Sequence, residues 1–463
     1  MNWTKKQISI LSIVAITSFM GTFLISSINI ALPAIEKSFR LNAIELSWVV
    51  TSFLLSTAIF LLPVGRWGDL SGIRKLFKIG VVIFSLSSLI CGLAGSGFWL
   101  IIFRFIQGIG AAFTSTTGPA ILVSSFLPKY RGRVLGMSVA AVYLGLAFGP
   151  FVGGFLTQYL GWRSIFLISA VLGMLTATIA FIFLGKDQTV DNINKKIHLK
   201  GTLFYIIGLI CLVYGSANIP AAWAWIGMTV GALFLVLFWF VETRSSAPVI
   251  DTKLFSQNRL FAYSNIAALI NYSATFAIVF LLSLFLQKVK GLNPRDAGLV
   301  LVAQPIIMAV FSPLAGRLSD KIQARYLTTA GMAMCSIGLV AFYFVGETTP
   351  ISFIVTNLIW LGLGFALFSS PNMNTIMGSV PKTAYGQASG TAATMRVLGQ
   401  IVSMTIVSLF FAALFGHTAM KYVDNDIFVK AIHWAFASFA TISFVGIYFS
   451  YKRGKLQKES VLN

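Results

Sequence analysis

Gly65-Arg66-Trp67-Gly68-Asp69-Leu70-Ser71-Gly72-Ile73-Arg74-Lys75 closes one long apolar run, and Gly316-Arg317-Leu318-Ser319-Asp320 closes another in the second part of the chain. Both are turns of the form Gly-x-x-x-Asp followed by cations, Arg74 and Lys75 in the first copy and Arg325 in the second. The glycine lets two helices touch, and the aspartate can cap the following turn or accept from a basic side chain. The same turn at corresponding places implies duplication: two homologous six-helix halves.

The runs around these turns set the fold class. The 463 residues are 57% hydrophobic and only 10% charged, with a mean hydropathy of +0.86. A soluble domain needs far more polar surface, so the chain belongs to the membrane class. Crossing a bilayer core takes roughly 20 mostly apolar residues. About fourteen runs qualify, near 8–32, 46–66, 75–95, 98–127, 134–158, 163–185, 200–218, 221–242, 259–287, 296–319, 324–346, 350–378, 384–415 and 426–451. The expected fold is an all-α polytopic membrane protein with both termini cytoplasmic. Its expected units are an N-terminal half at 1–190, two inserted helices with their connections at 191–258, a C-terminal half at 259–452 and a tail at 453–463. Lys5 and Lys6 precede an apolar run too long for a cleavable signal, with no small-residue cleavage site, so the first span is expected to stay. Ser245-Ser246-Ala247-Pro248 breaks the chain before a short helix expected along the membrane surface.

The net charge of +21 invites a nucleic-acid reading, which its distribution excludes. With alternating loop sides, about 24 Lys and Arg fall inside and about 8 outside, as the positive-inside rule requires. No basic block is interleaved with aromatics on a soluble surface. Cys91, Cys211 and Cys335 lie in apolar runs without metal-ligand spacing, and read as small core residues. No nucleophile–base pair, metal cluster or phosphate-cradling loop is present, so neither enzymatic activity, a cofactor nor a metal is expected.

Three further segments carry chemistry. Arg104-Phe105-Ile106-Gln107-Gly108-Ile109-Gly110 puts a cation inside an apolar helix, which costs several kcal/mol unless it is paired or hydrated. In Gly145-Leu146-Ala147-Phe148-Gly149-Pro150-Phe151-Val152-Gly153-Gly154, the glycines at 145, 149 and 153 share one smooth helix face, and Pro150 removes a backbone hydrogen bond. Ser26-Ser27-Ile28-Asn29-Ile30-Ala31-Leu32-Pro33 ends the first span.

On these segments and the Gly65 turn the chain resembles the major facilitator superfamily, in its fourteen-helix drug/proton antiporter branch of QacA/EmrB type. The resemblance runs from span 1 to span 13. It implies secondary active export of amphipathic small molecules by alternating access, with protons as coupling ion and the cell membrane as location. It also implies a conformational latch at Gly65, Asp69, Gly72, Arg74, Gly316 and Asp320. The helix carrying Gly145, Gly149, Pro150, Gly153 and Gly154 looks like the family's antiporter signature, and Arg104 is placed in the central cavity near the coupling machinery.

One departure bears on substrate. The family pattern has an acidic residue five positions before Asn29, where this chain has Leu24. None of the 13 Asp and Glu falls at mid-membrane, whereas Arg104 and Arg396 do. A cavity biased positive disfavours lipophilic cations and tolerates neutral or anionic amphiphiles. The alternative reading is therefore a transporter or flippase of anionic or lipid-like amphiphiles with weak or no proton coupling. Candidate cavity residues are Asn29, Arg104, Gln107, Asn265, Asn271, Gln304, Asn357 and Arg396, with Asn372 and Asn374 beyond Pro371. Amides in a bundle also serve simply to bridge helices. Expected partners are membrane lipids, the amphipathic substrate and protons, in a monomer without nucleic acid.

Overall fold

The computed structural model describes residues 3–41, 43–185, 187, 199–216, 221–245, 248, 252–415 and 424–454. Among them the chain is helical throughout, with no strand. Lipid offers no hydrogen bonds, so a backbone crossing it must satisfy its own amides, and helices do that within one segment. The elements are α1 (Lys5–Phe39), α2 (Ala43–Ser71), α3 (Ile73–Gly92), α4 (Gly97–Ser125), α5 (Arg131–Leu160), α6 (Arg163–Phe183), α7 (Leu199–Ser216), α8 (Ala222–Thr243), α9 (Thr252–Ser256), α10 (Arg259–Thr275), α11 (Ile278–Lys288), α12 (Pro294–Leu301), α13 (Ala303–Lys321), α14 (Ala324–Tyr343), α15 (Ile351–Gly378), α16 (Tyr385–Phe415) and α17 (Asn425–Lys452). Thirteen spans among the described residues are long and apolar enough to cross a bilayer; at the fourteenth expected position stands a shorter apolar helix, Leu199–Gly215. The cations expected at 186, 195 and 196 and the tail beyond 454 lie outside the described residues. The short helix expected after Pro248 is α9.

Two spans are interrupted. The span Arg259–Lys288 breaks between α10 and α11, where the freed Ala277 N–H donates to Ser403 Oγ on α16 at 3.1 Å. The span Asp296–Lys321 breaks at Val302, just before Gln304 and Pro305. Irregular backbone at membrane depth survives only where protein or a cavity covers it. Both breaks fall in the C-terminal helices, beside residues the sequence singles out.

Both ends of the described chain emerge at the end of the bundle that carries the two Gly-x-x-x-Asp turns. Trp3 packs on Phe126 and Tyr130, with the Arg133 guanidinium 5.1 Å from its ring. At the other terminus Arg453 is 1% exposed and donates to Asn372 Oδ1 at 2.6 Å and to Ser450 O and Oγ, both at 2.9 Å. Grouped with the cationic tail by sequence, Arg453 is instead built into the bundle, because a carbonyl, an amide and a hydroxyl replace its water shell. We call this the basic end.

Candidate functional site

Three carboxylates organise the basic end in the same way. Asp69, at the end of α2, accepts the backbone N–H of Gly386 at 2.7 Å and of Gln387 at 2.8 Å, the first turn of α16. Asp320, at the end of α13, accepts those of Gly132 at 2.8 Å and Arg133 at 3.1 Å, the first turn of α5. Asp187 accepts those of Arg74 and Lys75, each at 3.0 Å, at the start of α3. The first amides of a helix lack internal partners and carry its positive dipole end, so a carboxylate gripping two of them is favoured twice over. The aspartates of the repeated turn cap helices from the opposite end of the chain rather than their own following turn.

The glycines explain how close those helices come. A Cβ on Gly65 would stand 2.7 Å from Gly386 O, and one on Gly386 2.5 Å from Gly65 O. A Cβ on Gly316 would stand 2.1 Å from Gly132 O, and one on Gly132 2.2 Å from Gly316 O. Two seams, α2 against α16 and α5 against α13, are thus closed by one device: paired glycines plus an aspartate on the partner's first turn. Gly72, at φ +100°, turns the chain from α2 into α3, and a Cβ there would overlap Asp187. A cavity of about 600 Å³ lined by Lys129, Tyr130, Arg133, Arg317, Asp320 and Lys321 adjoins the α5/α13 seam.

The upper glycines of α5 serve another contact. Cβ atoms on Gly145, Gly149 and Gly153 would meet Thr22, Ser26 and Ser27 of α1 at 2.3–2.5 Å, whereas Gly154 has only Ile30 at 3.7 Å. Thr22 Oγ1 donates to Val142 O (2.9 Å), Ser26 Oγ to Leu146 O (3.2 Å) and Ser27 Oγ to Gly149 O (3.1 Å). The stripe and the Ser26-Ser27 segment are two sides of one α1–α5 contact, and Pro150 sits within that helix.

Arg104 is fully buried among α2, α3 and α4. Its Nε donates to Val49 O at 2.9 Å and its Nη1 to Gln107 Oε1 at 2.6 Å; Gln107 Nε2 donates to Ser88 Oγ at 2.6 Å. Its guanidinium carbon lies 4.4 Å from the centre of the Phe53 ring. Carbonyl, amide and π-face stand where a carboxylate partner would, and Nη2 is buried without a hydrogen bond. The expected cavity arginine therefore sits inside one helix group, away from the seams.

Arg396 is different. It is half-buried on α16, in the neighbourhood of the buried Tyr143 hydroxyl, which also has the Ser369 and Tyr272 side chains beside it. Phe365 stacks edge-on against both tyrosines, at 5.9 Å from Tyr143 and 5.4 Å from Tyr272. Helices α5, α10, α15 and α16 converge here, one turn from the α10–α11 break. The sequence named Arg396 and missed Tyr143, Tyr272, Phe365 and Ser369. A usable signal existed: a tyrosine inside an apolar run needs a partner for its hydroxyl.

The remaining candidates do not gather at this point. Asn357 bridges α15 to α14 through Gly338 O at 2.9 Å, and Asn372 bridges to Ser264 O at 3.1 Å. Asn374 donates to Ser319 Oγ at 3.0 Å, beside Asp320. Asn265 donates to Phe261 O of its own helix, and Asn271 to Met332 Sδ; the Oδ1 atom of each is buried without a hydrogen bond. Gln304 is buried next to the break before α13, and Asn29 is exposed. Leu24, where the family's acid is expected, is fully buried in a cluster with Met20, Phe23, Ile28, Phe53 and Phe84.

Many apolar spans, glycine-closed seams and discontinuous helices around a cation–aromatic centre define a multi-pass membrane transporter. The sequence profile of the Major Facilitator Superfamily matches residues 11–404, and again 266–460, and the chain belongs to that superfamily. It is 30% identical over 443 residues, 96% of either chain, to the riboflavin transporter RibZ of Clostridioides difficile (strain 630). It is 31% identical over 406 residues, 86% of this chain and 75% of the other, to the multidrug resistance protein Stp of Mycobacterium tuberculosis (strain ATCC 25618 / H37Rv). Its fold is also that of the human organic anion transporter MFSD10 (TETRAN), with TM-score 0.69, 12% identity and coverage of 96% of this chain and 99% of that one.

Proposed function

We propose that this protein is a secondary active exporter of amphipathic small molecules in the cell membrane, coupled to protons and working by alternating access. In this reading it has fourteen helices of the QacA/EmrB type: halves at 1–190 and 259–452, the inserted pair at 191–258, and a cytoplasmic basic end. The observation that carries it is the convergence of Tyr143, from the first half, with Tyr272, Phe365, Ser369 and Arg396, from the second, directly above the two closed seams. Aromatic faces suit a planar apolar body, and hydroxyls with a guanidinium suit its polar edge. Parting the seams at the basic end exposes this centre to that side. Kinship with a riboflavin transporter and a multidrug resistance protein supports cargo of this shape.

Protons act on this design at the latch. Asp320 lines the cavity at the basic end, and protonation removes the charge that α5 amides bind; Asp69 stands in the same relation to α16. A second reading, transport of anionic or lipid-like amphiphiles with weak or no proton coupling, is favoured by one observation: among the described side chains the centre holds Arg396 and no carboxylate. Purified protein in liposomes separates the two. Accumulation of a flavin or another aromatic amphiphile that collapses with the pH gradient supports proton-driven export. Equal rates with and without the gradient support the second reading, and no movement of any amphiphile defeats both.

A further inference from the structure

The cavity of about 600 Å³ beside the α5/α13 seam has two walls of like charge. Lys129 and Arg133 stand on one side, in the turn before α5 and in its first turn, and Arg317 and Lys321 on the other, at the end of α13. Tyr130 and Asp320 complete the lining, so four cations face one carboxylate. The backbone draws these walls together. Gly132 and Gly316 meet in the seam, and Asp320 holds the Gly132 and Arg133 amides. Arg133 follows Gly132 in sequence and Arg317 follows Gly316, so closing the seam carries cations toward cations.

The positive-inside rule accounts for cations at this end of the bundle, yet it asks only that they lie in the loops. Here they converge on one opening. The Arg133 guanidinium lies 5.1 Å from the Trp3 ring and the Lys129 ammonium 5.1 Å from the Tyr130 ring, which holds both against the wall. Asp320 already spends its two oxygens on α5 amides at 2.8 and 3.1 Å. A cleft lined mostly by one sign of charge concentrates ions of the other sign. Its volume falls within the roughly 300–1,000 Å³ of small-molecule sites, which leaves room for a phosphate together with the group that carries it. The cavity sits at the level of the helix ends. In the proposed topology that is the depth of the cytoplasmic headgroups, where anionic lipids abound.

We propose that this cavity binds a phosphate-bearing anion, shared between Lys129 and Arg133 on one wall and Arg317 and Lys321 on the other, and that the bound anion fastens the α5/α13 seam. An anionic phospholipid headgroup and a soluble phosphate offer the same oxygens to these cations. Binding stands without any transport reaction; fastening rests on the alternating-access reading, in which this seam parts for the basic end to open. Once α5 and α13 separate, one phosphate cannot reach both walls. The anion therefore binds the closed form more tightly and shifts the population toward it by that difference.

The test uses the full chain in nanodiscs, with Cys91, Cys211 and Cys335 replaced by alanine. Spin labels sit on Leu127→Cys and Ile322→Cys, exposed residues flanking the seam outside the cavity lining. Phosphatidylcholine alone is compared with phosphatidylcholine plus phosphatidylglycerol, and with phosphatidylcholine plus inorganic phosphate at constant ionic strength. The closed-to-open ratio is expected to rise roughly three- to tenfold with the anion that fits. A rise with phosphatidylglycerol alone assigns the lipid, with inorganic phosphate alone the soluble source, and with both a site open to either. Arg317→Gln combined with Lys321→Gln should close the seam more readily in phosphatidylcholine, because like charges are gone, and should lose the response to anions. Lys75→Gln combined with Lys452→Gln, which removes two exposed cations from the same end outside the cavity lining, should keep that response. Native mass spectrometry for phosphatidylglycerol and calorimetric titration for inorganic phosphate read binding directly, so a seam already closed in phosphatidylcholine still reports on the site. Binding that is absent, or equal in the unaltered chain and the Arg317/Lys321 variant, would overturn the site. A response lost as fully in the Lys75/Lys452 variant would assign it to general surface charge and overturn it too. Binding with no change in a seam seen partly open would overturn the fastening. No cargo is present, so absence of transport counts against the proposed function and leaves these results standing.

Discussion

Asp69 and Gly386 stand 317 residues apart in the chain and share a 2.7 Å hydrogen bond, carboxylate to backbone amide. Asp320 and Gly132 repeat that bond at 2.8 Å across the other seam. The repeated turn is thus a pair of reciprocal clasps, each half of the chain capping a helix of the other. Asp69→Asn keeps one oxygen acceptor and loses the charge, at a cost of about 1–2 kcal/mol. Hydrogen exchange should quicken at residues 386 and 387 in Asp69→Asn, and at 132 and 133 in Asp320→Asn, each change confined to its own seam.

The glycine stripe predicts a contrast between neighbours. Gly149→Ala drives a methyl to 2.4 Å from Ser26 Cβ, so it should lower thermal stability by about 1–3 kcal/mol. Gly154→Ala finds only Ile30 at 3.7 Å and gains helix propensity, so it should be neutral or stabilising by up to about 1 kcal/mol. Thermal unfolding of the two variants in one detergent decides it.

Arg104 should prove structural before it proves functional. Arg104→Lys loses the fork that reaches Val49 O and Gln107 Oε1 together, and much of the contact with Phe53. Unfolding stability should fall by about 2–3 kcal/mol. Ligand affinity measured on the folded fraction should stay within about twofold, because the residue faces none of the converging helices at Arg396.

Restoring the family's acid at position 24 should not restore a cation site. Leu24 is fully buried among Met20, Phe23, Ile28, Phe53 and Phe84, in a cluster apart from Tyr143. Leu24→Asp should destabilise the protein by about 3 kcal/mol, and the ratio of ethidium to anionic amphiphile transported should stay as in the unaltered chain. A marked rise in that ratio would show that position 24 reaches the cargo.

These outcomes track how much was legible beforehand. Run length and loop charge reveal a polytopic helical bundle, because a bilayer punishes any other arrangement. The Gly-x-x-x-Asp copies announce close contact, and their spacing cannot say with which helix. That partner depends on tertiary packing, so Asp69 reads as capping its own turn and in fact caps α16. Asp187 carries no motif, yet it grips α3 in the same manner as its two counterparts. Arg453 reads as one more cation of the tail because burial by Asn372 and Ser450 comes from distant chain. Arg104 and Arg396 look equivalent as lone cations in apolar helices; only the fold separates one sealed within a helix group from one beside Tyr143 and Tyr272.

Arg396 is where the account is most directly tested. Liposomes holding the unaltered protein or Arg396→Gln are compared for transport of an anionic aromatic amphiphile and of ethidium under an imposed pH gradient. The account predicts that the unaltered chain prefers the anion, and that Arg396→Gln cuts this preference roughly ten- to hundredfold while leaving fold and stability intact. Preference for ethidium by the unaltered protein, or an unchanged preference in Arg396→Gln, would contradict it.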